Sequence, residues 1–134
     1  KLSVFIDRLK SGDYKFESMD FRELNTDDWN EKTFVYADPP YLITCATYNE
    51  QDGWNEDLEK ELLSYLDKLN DRKIRFALSN VLRSKGKENT ILMDWISRNI
   101  GKYHVIYLDY DYSNSNYQTK DKNSKAEEVL IVNY

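Results

Sequence analysis

The sequence predicts a single α/β domain in which helices pack on a mostly parallel β-sheet. Two runs of β-forming residues, 33–37 and 74–79, flank a segment whose leucines recur at helical spacing. A second helical segment and two further apolar runs, 103–108 and 128–134, follow toward the C-terminus. Strands that alternate with helices are typical of α/β folds, in which right-handed crossovers join successive parallel strands.

The N-terminal part of the chain contributes smaller elements. Residues 3–10 predict a short amphipathic helix, with Ser3 as its N-cap and Gly12 just past its end. A short strand is predicted over 15–18, and a polar loop follows it. The run 33–37 is continuously apolar, which is typical of a strand buried on both faces of a parallel sheet.

The longest helix is predicted over 55–71, with Asn55 as its N-cap. Its apolar stripe consists of four leucines, Leu58, Leu62, Leu66 and Leu69. A second helix is predicted over 90–99, with Gly101 just past its end. No helix separates the last two strands, so we expect them to be antiparallel, with the C-terminal strand at one edge of the sheet.

The composition is that of one soluble domain. The 134 residues are 40% hydrophobic and 32% charged, and no apolar run approaches the roughly 20 residues that span a membrane. Cys45 is the only cysteine and His104 the only histidine. This composition excludes an internal disulfide, argues against a metal site and predicts a reducing cytoplasm. No signal peptide is visible at the N-terminus, and the chain begins at Lys1 without an initiator Met, so we expect a fragment or a processed chain.

The charge is unevenly distributed along the chain, although the net value is only −5. Residues 13–61 contain 4 basic and 14 acidic side chains, whereas residues 72–125 contain 11 basic and 5 acidic ones. The basic half is suited to a phosphate backbone, and Arg83, Lys85 and Lys87 are predicted to form a basic loop at the functional edge of the sheet. A solvated surface of mixed sign is the alternative interpretation.

The motif with the clearest chemistry directly follows the strand 33–37. In open α/β sheets, ligands bind at the carboxyl ends of the strands. Consecutive prolines fix two φ angles and remove two N–H donors, so the turn is stiff and its carbonyls stay free to accept hydrogen bonds. We predict a catalytic site made of Asp38, Pro39, Pro40 and Tyr41.

This turn is suited to chemistry on an exocyclic amino group of a nucleobase. The lone pair of such an amine is delocalised into the ring, and two acceptors, the Asp38 carboxylate and the Pro39 carbonyl, would localise it. Tyr41 offers a flat face for the base, and stacking of this kind contributes about 1–3 kcal/mol per base. A base within a duplex is out of reach, so the base would have to be flipped. An ordinary tight turn is the alternative.

Further candidate substrate-binding residues lie in loops and at a strand end. Tyr48 is predicted either to clamp the base or to belong to an ordinary surface loop. Ser79, at the end of the second strand, either lines the base pocket or caps the strand. Asn116, Tyr117 and Lys120 either contact DNA phosphates or form a solvated hairpin tip.

Taken in order, several blocks closely resemble the Dam-like, D12 class of adenine-N6-specific DNA methyltransferases. The resemblance covers about residues 14–134. The matching blocks are Phe34–Thr44, Tyr48-Asn49, Gly53-Trp54, Phe76–Val81, Asn116–Gln118, Lys125 and Glu128–Tyr134.

The resemblance implies a Rossmann-like methyltransferase fold, S-adenosylmethionine as the methyl donor and adenine in double-stranded DNA as the acceptor. It implies that Asp38 and Pro39 hold the target amine and that Tyr41 stacks on the flipped base. It also implies that Asp38 lies near the methyl donor and that Asp20 and Phe21 surround the cofactor adenine.

The resemblance is incomplete at one end. The Gly-rich cofactor loop and the target-recognition segment of the family are not in the sequence, and no Gly-x-Gly is present. We therefore expect residues 1–134 to be a single catalytic part of a methyltransferase domain from a prokaryotic or phage modification system, partnered by the missing N-terminal half. The alternatives are a non-catalytic remnant that binds DNA or a partner, and an amino methyltransferase acting on RNA or on cytosine N4.

Overall fold

The structure, a computed structural model, describes residues 1–44, 53–108 and 126–134. These residues contain three α-helices, five β-strands and a short 3-10 turn at Phe21–Glu23. The helices and strands are α1 (Leu2–Ser11), β1 (Phe34–Ala37), α2 (Glu56–Asp71), β2 (Arg75–Ser84), β3 (Lys87–Glu88), α3 (Thr90–Arg98), β4 (His104–Leu108) and β5 (Glu127–Val132). The predicted mixed α/β class is therefore confirmed.

The sheet has the strand order β1-β2-β5-β4, and β3 forms a hairpin with the end of β2. β1 and β2 are parallel, with Phe34 opposite Arg75 and Ala37 opposite Leu78. β5 is antiparallel to both of its neighbours, β2 and β4. As a result β1, β2 and β4 point in the same direction, although most of the described ladders are antiparallel.

The prediction that the C-terminal strand forms an edge of a mostly parallel sheet is wrong. β5 lies between β2 and β4, so two antiparallel ladders take the place of the one parallel ladder that β2 and β4 could have formed with each other. Its side chains explain this position, because Val129 and Ile131 are fully buried and a strand that pairs on both sides is the best place to bury them. β4 lies at the edge instead, with Ile106 and Tyr107 exposed.

β1 differs from its prediction as well. Val35 and Ala37 pack against the core, but Phe34 is 52% and Tyr36 60% exposed. Among the residues that the structure describes, β1 is therefore covered on one face only. The sequence alone does not show that exposed and partly buried residues alternate along β1, because aromatic side chains favour strands whether or not the strand face is buried.

The N-terminal segment makes few contacts within the described chain. The predicted helix over 3–10 is confirmed as α1, but the N-cap is Lys1 and makes no side-chain capping hydrogen bond, so the assignment of Ser3 is wrong. The predicted strand over 15–18 is absent from the described residues, where this segment is irregular. Phe16 is 81% exposed, and none of the described strands lies beside this segment to pair with it.

The core lies between the sheet and the helices α2 and α3. Asn55 caps α2 as predicted, because its side chain accepts a hydrogen bond from the Leu58 N–H. The largest fully buried apolar side chains are Leu66, Ile74, Phe76, Leu78, Val81, Leu92, Val129 and Ile131. None of the described helices is both long enough and apolar enough to cross a bilayer.

The connection between β1 and β2 determines where the site forms. Because β1 and β2 are parallel and adjacent, α2 must run back across the sheet, so its N-terminus lies beside the carboxyl end of β1. We call this side of the sheet the carboxyl edge. β2 continues past this edge to Ser84, five residues beyond its predicted end, and turns at Lys85 and Gly86, whose φ angles are +50° and +74°. Positive φ at two successive turn positions is typical of a tight β-hairpin.

Candidate active site at the carboxyl edge

The turn formed by Asp38, Pro39, Pro40 and Tyr41 emerges from β1 at the carboxyl edge, as predicted. Ala37 pairs with Leu78 in the last pair of the β1–β2 ladder. Asp38 and Ser79 are the residues that come directly after this pair. The Tyr41 hydroxyl lies 3.1 Å from the Ser79 Oγ and 3.5 Å from the Asp38 Oδ1. The structure thus brings together the predicted catalytic turn and the predicted pocket residue of the second strand.

Hydrogen bonds hold both the backbone and the side chain of Tyr41. Its carbonyl accepts hydrogen bonds from the Thr44 N–H at 3.0 Å and the Thr44 hydroxyl at 3.1 Å, while its phenol group contacts Ser79. The Ser79 contact alone would favour the phenolate, but partial burial and the nearby negative charges of Asp38 and Glu128 outweigh it and raise the pKa of Tyr41. The ring is therefore half-buried, neutral and held in place beside an exposed carboxylate.

Asp20, the first predicted cofactor residue, is held by Arg22. Its Oδ1 accepts from the Arg22 backbone N–H and Nε at 2.9 Å, and its Oδ2 accepts from the Arg22 Nη2 at 2.8 Å. These hydrogen bonds lower the pKa of Asp20 to about 2. Arg22 also bonds to Glu61 of α2 at 2.8 Å, so the carboxylate of Asp20 is ionised and tied to the first half of that helix.

Phe21, the second predicted cofactor residue, packs against the start of α2. Its ring centroid lies 6.2 Å from that of Trp54 and 5.6 Å from that of Tyr65, the latter in an edge-to-face arrangement. Trp54 directly precedes α2, and Tyr65 lies in its middle. Through Trp54, Phe21 lies near the N-terminus of α2, which starts at the carboxyl edge.

A buried carboxylate that was not predicted lies behind these residues. Glu59 is fully buried and accepts three hydrogen bonds, from the Trp54 Nε1 at 2.6 Å, the Asn80 Nδ2 at 2.9 Å and the Asn89 Nδ2 at 2.9 Å. We call these four residues the Glu59 cluster. The sequence carries a signal for it, because Glu59 occupies a core position, three residues before Leu62 and seven before Leu66.

Comparison with known proteins identifies the family. Residues 1–114 match the family described as D12 class N6 adenine-specific DNA methyltransferase. The chain belongs to this family. The resemblance inferred from the sequence is thereby confirmed.

Curated relatives of the chain are bacterial modification enzymes. Modification methylase StsI from Streptococcus sanguinis is 44% identical over 97% of the chain and 20% of its own length. Type II methyltransferase M.FokI from Planomicrobium okeanokoites is 40% identical over 100% of the chain and 20% of its own length. Modification methylase LlaI from Lactococcus lactis subsp. lactis is 33% identical over 91% of the chain and 21% of its own length. The chain thus spans about a fifth of the length of these relatives.

Only part of the positive charge of the predicted basic loop is available to contact a phosphate backbone. The Arg83 guanidinium bonds to Glu88 at 2.9 Å and to Glu127 at 3.1 Å, and these hydrogen bonds raise its pKa. Lys85 and Lys87 are exposed at the tip of the β2–β3 hairpin. Arg83 therefore links β2 to β3 and β5 through ion pairs, and the two lysines face solvent.

The remaining predicted residues lie outside the described residues. Tyr48 falls within 45–52, as does Cys45, and Asn116, Tyr117 and Lys120 fall within 109–125. Among the residues that the structure describes, no group of three or more His, Cys, Asp or Glu side chains is placed to hold a metal ion.

Proposed function

We propose that this chain carries the acceptor-binding part of an enzyme that transfers a methyl group from S-adenosylmethionine to the N6 amino group of a flipped adenine in duplex DNA. The observation that carries the proposal is the Tyr41–Ser79–Asp38 arrangement at the end of β1 in a member of the D12 class. The names of the relatives, which are modification methylases, favour a role in restriction-modification.

The turn provides what the acceptor base needs. The Asp38 carboxylate and the Pro39 carbonyl would accept the two amine hydrogens, which localises the nitrogen lone pair and directs it at the methyl group. Pro40 keeps the carbonyl in place because its ring fixes the backbone angle. The ring of Tyr41 would stack on the base, and the raised pKa of its phenol group further favours the uncharged form.

The cofactor adenosine fits the residues beside α2. An adenine needs an acceptor for its exocyclic amine and an apolar surface for its ring, and Asp20 and Phe21 supply them. Asp20 is ionised and accessible, and Phe21 is supported by Trp54 and Tyr65. When bound, S-adenosylmethionine supplies an electrophilic methyl group. Asp38 would lie between this cofactor side and the base.

We further propose that residues 1–134 form one part of a Rossmann-like methyltransferase domain. The rest of the polypeptide would supply the Gly-rich cofactor loop and the target-recognition segment, which fits the small share of the relatives that the chain spans. DNA contacts would come from Tyr48, Asn116, Tyr117 and Lys120. As an enzyme that modifies cellular DNA, it would act in the cytoplasm of a bacterium or of a phage-infected cell.

The alternatives make different predictions for one experiment. The complete protein is incubated with S-adenosylmethionine and unmethylated plasmid DNA, and the DNA is digested to nucleosides for mass spectrometry. The proposal predicts N6-methyladenine as the product. N4-methylcytosine, methylated RNA in a parallel reaction, or an unmodified plasmid with retained DNA binding would each overturn it, the last in favour of a non-catalytic remnant.

A further inference from the structure

The Glu59 cluster joins three separate parts of the carboxyl edge. Trp54 lies in the segment before α2, Asn80 lies on β2, and Asn89 is the N-cap of α3. Glu59 is fully buried, and a carboxyl group is tolerated in the interior only when hydrogen-bond partners compensate for its lost hydration. The three N–H donors provide this compensation, and none of them carries a charge.

The orientation of both asparagine amides is fixed by their other contacts. The Asn80 Oδ1 accepts from the Val81 N–H at 2.8 Å, and the Asn89 Oδ1 accepts from the Leu92 N–H at 3.0 Å as the cap of α3. Each amide must therefore present its NH₂ group to Glu59. Both point at the same oxygen, Oε1, and Oε2 is left for the Trp54 indole.

The cluster connects the two sides of the site. On one side, the Trp54 ring packs against Phe21, which lies in the proposed cofactor site. On the other side, Asn80 follows Ser79, whose hydroxyl contacts Tyr41. The Glu59 carboxylate therefore accepts hydrogen bonds from Trp54, which packs against Phe21, and from Asn80, which follows Ser79 on β2.

We propose that Glu59 is a positioning residue for methyl transfer, which holds the Phe21 side and the Tyr41 side of the site at a fixed distance through Trp54 and Asn80. This proposal rests on the proposed function. In-line transfer requires the acceptor nitrogen and the methyl carbon to be aligned, and a misplacement of about 1 Å that originates away from the reacting atoms can cost about 100-fold in rate.

Glu59→Gln tests the proposal with a minimal change of shape. Because the two asparagines need an acceptor, the glutamine oxygen should face them, and its NH₂ group then meets the Trp54 N–H donor to donor. Trp54 should be displaced, and with it Phe21. In the complete methyltransferase we expect the Kd for S-adenosylmethionine, measured by calorimetry, to rise about tenfold, and kcat to fall between about tenfold and 100-fold.

The same helix offers a matched control. Asp67 lies eight residues further along α2, about 12 Å away, and also accepts an indole N–H, from Trp95 at 3.0 Å, together with the Tyr103 hydroxyl at 2.6 Å. Asp67→Asn and Trp95→Phe should lower the melting temperature and leave the Kd and kcat within about twofold at a temperature where the protein is folded. Trp54→Phe, which removes the indole N–H and part of the ring just as Trp95→Phe does, should reproduce the rise in Kd if Glu59→Gln fails to fold.

The outcomes separate the two proposals. If the wild-type protein neither binds S-adenosylmethionine nor methylates adenine, the proposed function is wrong and the role of Glu59 is wrong with it. If the wild-type protein does both, but Glu59→Gln and Trp54→Phe affect only the melting temperature, as the control pair does, then Glu59 is a structural residue and the positioning proposal is overturned.

Discussion

The contact between Tyr41 and Ser79 allows the role of the aromatic ring to be separated from that of its hydroxyl. The two hydroxyls lie 3.1 Å apart, whereas the Asp38 Oδ1 lies 3.5 Å from the Tyr41 hydroxyl. A hydrogen bond between neutral groups contributes about 0.5–1.5 kcal/mol. Tyr41→Phe keeps the ring and loses this bond, so kcat/KM on duplex DNA should fall about twofold to 13-fold.

Tyr41→Ala removes the stacking face as well. Stacking contributes about 1–3 kcal/mol per base, so kcat/KM should fall by a further factor of about 5 to 150. Steady-state incorporation of labelled methyl groups into an oligonucleotide duplex measures both variants. If Tyr41→Phe loses as much as Tyr41→Ala, the hydroxyl rather than the ring has the main role, and the stacking assignment is wrong.

A double-mutant cycle tests whether Ser79 acts through Tyr41. Ser79→Ala removes the same hydrogen bond from the other side, so the double variant with Tyr41→Phe should be no slower than the slower single variant. The coupling energy should then be about 0.5–1.5 kcal/mol. Independent, additive losses would show that Ser79 contacts the substrate directly and does not position Tyr41.

Three further variants test other parts of the account. Phe21→Ala should weaken S-adenosylmethionine binding in calorimetry and leave DNA binding unchanged; weakened DNA binding alone would argue against a cofactor role. Asn55→Ala removes the cap of α2 and should lower the free energy of unfolding by about 1 kcal/mol in urea titrations; no loss would show that the cap is not formed in solution. The pKa of Asp20 is lowered from 3.8 to about 2, so its contribution to stability is complete above pH 3.8 and is lost as the pH falls through about 2. Its carboxyl signal should titrate near pH 2 in NMR, and Arg22→Gln should return the pKa toward its ordinary value.

The sequence predicts elements whose pattern is local. The leucine spacing of α2 and its Asn55 cap are visible within one helix, and both are confirmed. The position of β5 is different, because it depends on which strands pair across the sheet. Its four consecutive apolar residues, 129–132, predict a strand but do not show that the strand lies between β2 and β4.

The same difference between local patterns and long-range contacts applies to the site. Asp38 and Ser79 each end a predicted run, and the parallel pairing of β1 and β2 brings them together as expected. Glu59 was missed because an acid on a helix usually faces water, and its partner Asn89 is distant in sequence. Arg83 was predicted as part of a basic loop, but the strands place Glu88 and Glu127 beside it.

The proposed function depends on activation of the adenine amine by the Asp38 carboxylate. The measurement that tests it most directly is the single-turnover rate of N6-methyladenine formation by the complete enzyme carrying Asp38→Ala, at saturating DNA and S-adenosylmethionine. Because loss of one well-placed group that acts in the transition state costs about 100-fold to 1000-fold, we expect a decrease of this size. A rate within about threefold of the wild-type rate, well below the cost of losing such a group, would contradict the claim.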